Sequence, residues 1–110
     1  MECYDAYIAV IAEVSLTDGK PKVHKLTCAV DPGIALRPDQ ILAQIESGML
    51  LGFSTAMKNE ITFKDGAAQQ KNFDSYPLLR MSEMPEIDIT IMPGGDKPSG
   101  MGEVGTPLVA

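Results

Sequence analysis

The residues best placed to do chemistry lie in Gly100-Met101-Gly102-Glu103-Val104-Gly105. Glycine lacks a Cβ, so such a segment takes up positive φ freely and lets its backbone come close to a ligand. A carboxylate held there serves one of two ends. It is a general base beside a bound substrate, or it caps the helix that Thr106-Pro107 would begin. The pattern alone leaves both open. Gln44 is the second candidate, because it sits one turn ahead of Gly48, Gly52 and Ala56 at a spacing of four. A side-chain amide both donates and accepts, which suits a ligand drawn against a small-residue stripe, or simply solvent. Other polar residues read as structural. His24 has no second His or Cys at ligand spacing and reads as a surface histidine. Glu46 points off the Gln44 face, Asp31 precedes a Pro-Gly turn, and Arg80 suits an anionic substrate or an ion pair. Met81 and Met101 are core filler or pocket lining. Cys3 and Cys28 lack CxxC spacing and read as two reduced, buried thiols.

The elements that must carry these residues are legible in the hydrophobic pattern. Ala6 to Leu16 alternates as a strand, with Ile8, Val10, Ala12 and Val14 forming a wholly apolar face. Thr17-Asp18-Gly19-Lys20 reads as a turn, and a second strand from about Lys22 to Val30 completes a hairpin. Asp31-Pro32-Gly33 breaks it. A helix follows from Pro38 to about Met57, with Pro38 in the first turn and Asp39 at the positive end of the dipole. Its apolar residues Ile41, Leu42, Ile45, Met49, Phe53 and Met57 recur at helical spacing. Two glycines inside a helix cost about 1 kcal/mol each relative to alanine, so something is expected to press on that stripe: another helix, a sheet or a cofactor. Glu60 to Phe63 reads as a short strand, with Gln69 to Phe73 returning antiparallel. Glu86 to Met92 alternates as a half-buried strand. The tail from Pro93 is a long Gly/Pro-rich loop, ending in a first helical turn over Thr106 to Ala110. A turn that short does not stand alone, so the chain is expected to be cut from something longer or to lean on a partner. The predicted fold class is α+β, with antiparallel strands packed on one long helix.

A chain of 110 residues fits one domain. Aromatic residues make up only 5%, so the core must come from aliphatic side chains and the seven methionines. The formal charge of −6 opposes phosphate backbones and anionic lipid surfaces, which argues against nucleic-acid binding and membrane docking. No apolar run approaches the roughly 20 residues that span a bilayer.

Several motifs, taken together in order, resemble the xanthine dehydrogenase and aldehyde oxidase family of molybdenum hydroxylases. GMGEVGTPLVA is similar to its GxGExGxPPxAPA signature. The stretch from Gln44 to Gly52 resembles QxEGGxxxG, and Cys28 to Gly33 resembles the CAVDCG turn. NEITFKDG and NFDSYPLLRMSEMPEIDI resemble the segments between. The likeness runs along essentially the whole chain and is nearest to the large subunit of the isoquinoline 1-oxidoreductase type. Two departures stand out: Pro32 replaces the second cysteine of CAVDCG, and the second proline of PPxAPA is Leu108. Neither touches Glu103.

The resemblance implies that residues 1–110 are the C-terminal part of a larger molybdopterin-binding domain. It implies a molybdenum ion held by the dithiolene of a molybdopterin, including the cytosine dinucleotide form, with no protein side chain as metal ligand. Glu103 would be the catalytic base that deprotonates the molybdenum-bound hydroxide, whose oxygen then attacks an electron-poor carbon as a hydride passes to the sulfido ligand. A metal acidifies bound water, and a carboxylate in a dry pocket gains basicity. Gln44 and Gly102 would border the cofactor. Electrons would leave through iron–sulfur clusters on a small partner subunit, and the remaining segments of the large subunit would close the pocket. The substrates implied are N-heterocycles or aldehydes. The compartment implied is the cytoplasm by default, or the periplasm for relatives exported with their cofactor. A second reading takes the chain as a truncated, non-catalytic fragment or an assembly module that keeps the fold. On either reading the isolated chain is expected to be inactive.

Overall fold

The computed structural model describes residues 1–107. Strand β1 (Glu2–Cys3) leads into β2 (Ala6–Thr17) and β3 (Lys20–Asp31). Asp18 and Gly19 both adopt left-handed φ, at 52° and 73°. That pair makes the two-residue hairpin turn whose twist matches the flanking strands, so Thr17 sits opposite Lys20. The register shifts between Glu13 and Val14. His24 is the extra residue of this bulge, and its Nε2 lies 2.7 Å from the Ser15 hydroxyl, at the surface as expected.

Helix α1 (Pro38–Lys58) crosses one face of the sheet. Two short strands, β4 (Phe63–Lys64) and β5 (Ala67–Ala68), form a separate small hairpin. The return of that hairpin is therefore at Ala67, ahead of the expected Gln69 to Phe73, because Asp65 and Gly66 both take positive φ and turn the chain at once. A 3-10 turn (Met81–Glu83) precedes the last strand, β6 (Glu86–Ile91). The main sheet runs in the order β1-β2-β3-β6. The fold is α+β with an antiparallel-rich sheet on one long helix, but β6 joins β3 in parallel, Leu26 opposite Ile87. A parallel pairing needs a long crossover, and α1 with the segment after it supplies one.

The core lies between sheet and helix. Ala6, Ile8, Leu26, Cys28 and Val30 meet Ile41, Ile45 and Met49, and Val104 enters from the C-terminal loop. The apolar face of β2 is covered only in its first half. Val14 and Leu16, beyond the bulge, are exposed, as are Tyr7 and Ile11 on the other face. The alternation in β6 holds, with Ile87, Ile89 and Ile91 turned inward. Cys28 is buried and Cys3 half-buried, and both are free thiols. Among the described residues no helix is long and apolar enough to cross a membrane. The helical turn expected to follow Pro107 lies outside the described residues, while Thr106 and Pro107 are in a bend and a turn.

Candidate cofactor-facing site

The object pressed against the glycine stripe is the chain's own C-terminal loop. A Cβ on Gly52 would stand 2.2 Å from the Thr106 carbonyl oxygen, and one on Gly48 3.3 Å from the Thr106 nitrogen and hydroxyl. From the loop side, a Cβ on Gly105 would meet the Ile45 carbonyl oxygen at 2.8 Å. Three glycines thus bring two backbones into contact, which replaces the helix, sheet or cofactor expected on that stripe. Ala56, one turn further on, is exposed.

Val104 is the anchor of this loop. It is the single apolar side chain between Gly102 and Gly105, and it is fully buried in the core between α1 and the sheet. The upstream end of the loop is tied to the turn after β3. Ile34 N–H donates to the Lys97 carbonyl at 3.1 Å, Ser99 N–H to Pro32 at 2.9 Å, and Gly100 N–H to Tyr4 at 3.1 Å. The Ser99 hydroxyl donates to the Asp5 carbonyl at 2.9 Å. Asp31 holds that turn by accepting Gly33 N–H at 2.8 Å, which is the structural role its place before Pro-Gly suggested.

Two of the predicted site residues meet directly. The Gln44 side-chain amide donates to the Gly102 carbonyl. Glu103 follows at once, with its own carbonyl accepting Thr106 N–H at 3.0 Å. The Glu103 residue is exposed, so the dry surroundings expected of a base are not built by these residues. Beside the Gln44–Gly102 contact lies a cavity of about 450 Å3 lined by Ile34, Leu36, Arg37, Gln40, Ile41 and Met101, with Pro98 and Ser99 at its edge. Met101 therefore faces the candidate site, whereas Met81 is exposed and lines a separate hollow beside Leu50 and Leu51. Arg80 also lies away from it, taking part in the 3-10 turn with Glu83. Glu83 itself pairs with Lys58, and the hydrogen bond from that ammonium, with help from the Arg80 backbone, holds its carboxyl below the usual range.

The polar lining suits a group rich in oxygen and nitrogen. Arg37, Gln40 and Gln44 follow one another at helical spacing, and guanidinium and amide groups bind anionic and heterocyclic edges. The position a Cβ would take on Gly102 has nothing within 4 Å, which leaves room for close approach from that side. Arg37 and Gln40 were missed in the sequence, although their spacing to Gln44 was a usable signal. So was the lone valine within a run of glycines.

A profile of the molybdopterin cofactor-binding domain matches residues 2–85. The chain belongs to this domain family. It is 33% identical over 103 residues to the isoquinoline 1-oxidoreductase subunit beta of Brevundimonas diminuta, covering 92% of this chain and 13% of that protein. It is 34% identical over 109 residues to the membrane-bound aldehyde dehydrogenase [pyrroloquinoline-quinone] of Gluconacetobacter polyoxogenes, covering 99% of this chain and 14% of that one. The second alignment runs through the Glu103 loop, which lies beyond the stretch matched by the family profile. The fold matches quinoline 2-oxidoreductase from Pseudomonas putida 86 with a TM-score of 0.76 over 93% of the chain, at 20% identity. It matches the Cu,Mo-CO dehydrogenase with a TM-score of 0.73 over 94%, at 25% identity. Each match takes in 14% of the solved chain. The chain thus spans about a seventh of the length of the proteins it resembles.

Proposed function

We propose that this molybdopterin-binding chain is the cofactor-facing segment of a molybdenum hydroxylase large subunit, with Glu103 as the general base. The observation that carries the reading is the pinned loop: Val104 buried in the core, Gly105 seated on the helix backbone and Gln44 bonded to Gly102. Together they fix the backbone of Glu103, an exposed residue that directly follows Gly102 in the cavity lining. When bound, the molybdenum cofactor supplies the two-electron oxidation of the substrate carbon. The pyrroloquinoline quinone in the name of one relative is a different cofactor. The domain profile and the molybdenum of the CO dehydrogenase favour the molybdopterin, and the proposal includes its cytosine dinucleotide form.

The chain's own residues do the rest. Gln44 and Gly102 border the cofactor, one with an amide and the other with an open backbone. Ile34, Leu36 and Met101 give the cavity an apolar side for the substrate. Their apolar lining suits a flat N-heterocycle or an aldehyde, in keeping with the isoquinoline and aldehyde named for the relatives. Glu103 accepts a proton on a carboxylate oxygen as the oxygen nucleophile attacks. The remaining segments of the large subunit shield that carboxylate from solvent, and a small subunit with iron–sulfur clusters takes the electrons. Two of the relatives are named as subunits, beta and B.

The test is Glu103→Gln in the complete, cofactor-loaded enzyme. Loss of a general base costs about 100- to 10,000-fold in turnover, and molybdenum content by mass spectrometry stays at the wild-type level, because Glu103 is no metal ligand. Wild-type turnover in that variant refutes the assignment.

A further inference from the structure

We infer that Gln44 is a positioning residue for Glu103, its side-chain amide latching the loop in addition to any contact with the cofactor. This rests on the reading of Glu103 as base. The Glu103 carboxylate is exposed, so its aim is set by its backbone. Downstream that backbone is fixed twice, by the Thr106 N–H on the Glu103 carbonyl and by the buried Val104. Upstream the nearest backbone tie is Gly100 N–H to the Tyr4 carbonyl. Between Gly100 and Glu103, among the described residues, the polar contact that holds the chain is Gln44 to Gly102. Met101 packs against the core, but at Gly102 itself packing does not substitute for the bond, since nothing stands within 4 Å of where a Gly102 Cβ would be. Without the amide, the peptide on the N-terminal side of Glu103 is free to pivot between Met101 and Val104.

Gln44 is well suited to this task. It projects from the second turn of α1, and the neighbouring Ile45 is fully buried, so its own backbone is rigid. Its side chain is exposed, so replacing it opens no cavity in the core. The amide has a second N–H and an oxygen left over, and these remain available to the cavity. One side chain thus links the cofactor-facing wall to the loop that carries the base.

The variants are Gln44→Met, which keeps the length and removes all hydrogen bonding, and Gln44→Glu, which keeps the shape and removes the donor. The first measurement is amide hydrogen exchange on the 110-residue chain. Loss of one hydrogen bond is worth about tenfold in local opening, so the Thr106 amide exchanges about tenfold faster in both variants. The β3 amides of Cys28 and Val30 keep their wild-type rates. The second measurement is turnover in the loaded enzyme. A displacement on the order of 1 Å at the base costs up to about 100-fold, so kcat falls by about 10- to 100-fold in Gln44→Met. KM holds, turnover is counted per bound molybdenum because Gln44 also borders the cofactor, and the pH at which turnover half-fails on the acid side does not move. Unchanged Thr106 exchange overturns the latch. So does loss of molybdenum without faster exchange, which would make Gln44 a cofactor contact alone. Full turnover in Glu103→Gln would instead sink the base reading, and the exchange result would still report on the latch by itself.

Discussion

Alanine at Gly52 and at Gly48 makes a paired experiment, because the two sites share a helix face and differ in clearance. Alanine is favoured over glycine inside a helix by about 1 kcal/mol. At Gly48 the new Cβ would stand 3.3 Å from the Thr106 nitrogen and hydroxyl. That is a few tenths of an ångström inside ordinary contact, so the loop gives slightly and the propensity gain survives in part. At Gly52 the Cβ would stand 2.2 Å from the Thr106 carbonyl oxygen and 3.1 Å from its carbonyl carbon. Carbon contacts settle near 3.5 Å, so the loop must move by about 1 Å. Overpacking of this kind costs about 1–3 kcal/mol, which exceeds the propensity gain. Gly48→Ala is therefore expected to change stability by less than about 1 kcal/mol, in the stabilising direction, and Gly52→Ala to destabilise by about 1 kcal/mol. Urea midpoints at unchanged m-value separate these outcomes. In the loaded enzyme the same displacement costs Gly52→Ala up to about 100-fold in turnover. Equal stabilisation by both substitutions would refute the argument, because it would mean that the loop does not rest on the helix backbone.

Two further outcomes follow from the same geometry. Gly102→Ala has open space at its Cβ and no positive φ. It should leave the urea midpoint unchanged while lowering molybdopterin occupancy in the loaded enzyme; unchanged occupancy would remove Gly102 from the cofactor wall. Burial pushes the Cys28 thiol up to about 11, from 9.0. The folded state thus holds that proton longer than the unfolded chain does, and stability falls as pH rises from about 9 to about 11. At pH 8 a thiol reagent should label Cys3 in the native chain and Cys28 only on unfolding; rapid native labelling of Cys28 would contradict its burial.

Much of this architecture is written locally, in residue spacing. The alternation of Ala6 to Leu16, the Asp18-Gly19 turn and the helical recurrence from Ile41 to Phe53 each specify an element by periodicity. All three appear, with bounds within a few residues of those expected. The glycine stripe on α1 is equally visible, because glycine inside a helix is costly and needs a reason. The motif order carries the family. Other features do not follow from spacing. Ile87, Ile89 and Ile91 mark which face of β6 is buried but say nothing of its neighbour, and only the crossover through α1 sets it parallel to β3. The small hairpin at Asp65-Gly66 departs from its expected place because two strands of two residues each have too little pattern to read.

The sequence by itself determined the long elements, the small-residue face of the helix, and Glu103 with Gln44 as residues of chemical interest. Each of these is a property of a few neighbouring residues. What covers the glycine stripe was decided by tertiary structure alone. Residues 48 and 52 touch residue 106 across half the chain, and no local periodicity encodes a contact at that distance. The Gln44–Gly102 bond, 58 residues apart, is of the same kind. It exists because Val104, a lone apolar residue among glycines, gains more by entering the core than by staying in water, and in doing so draws the loop and its carboxylate onto the helix.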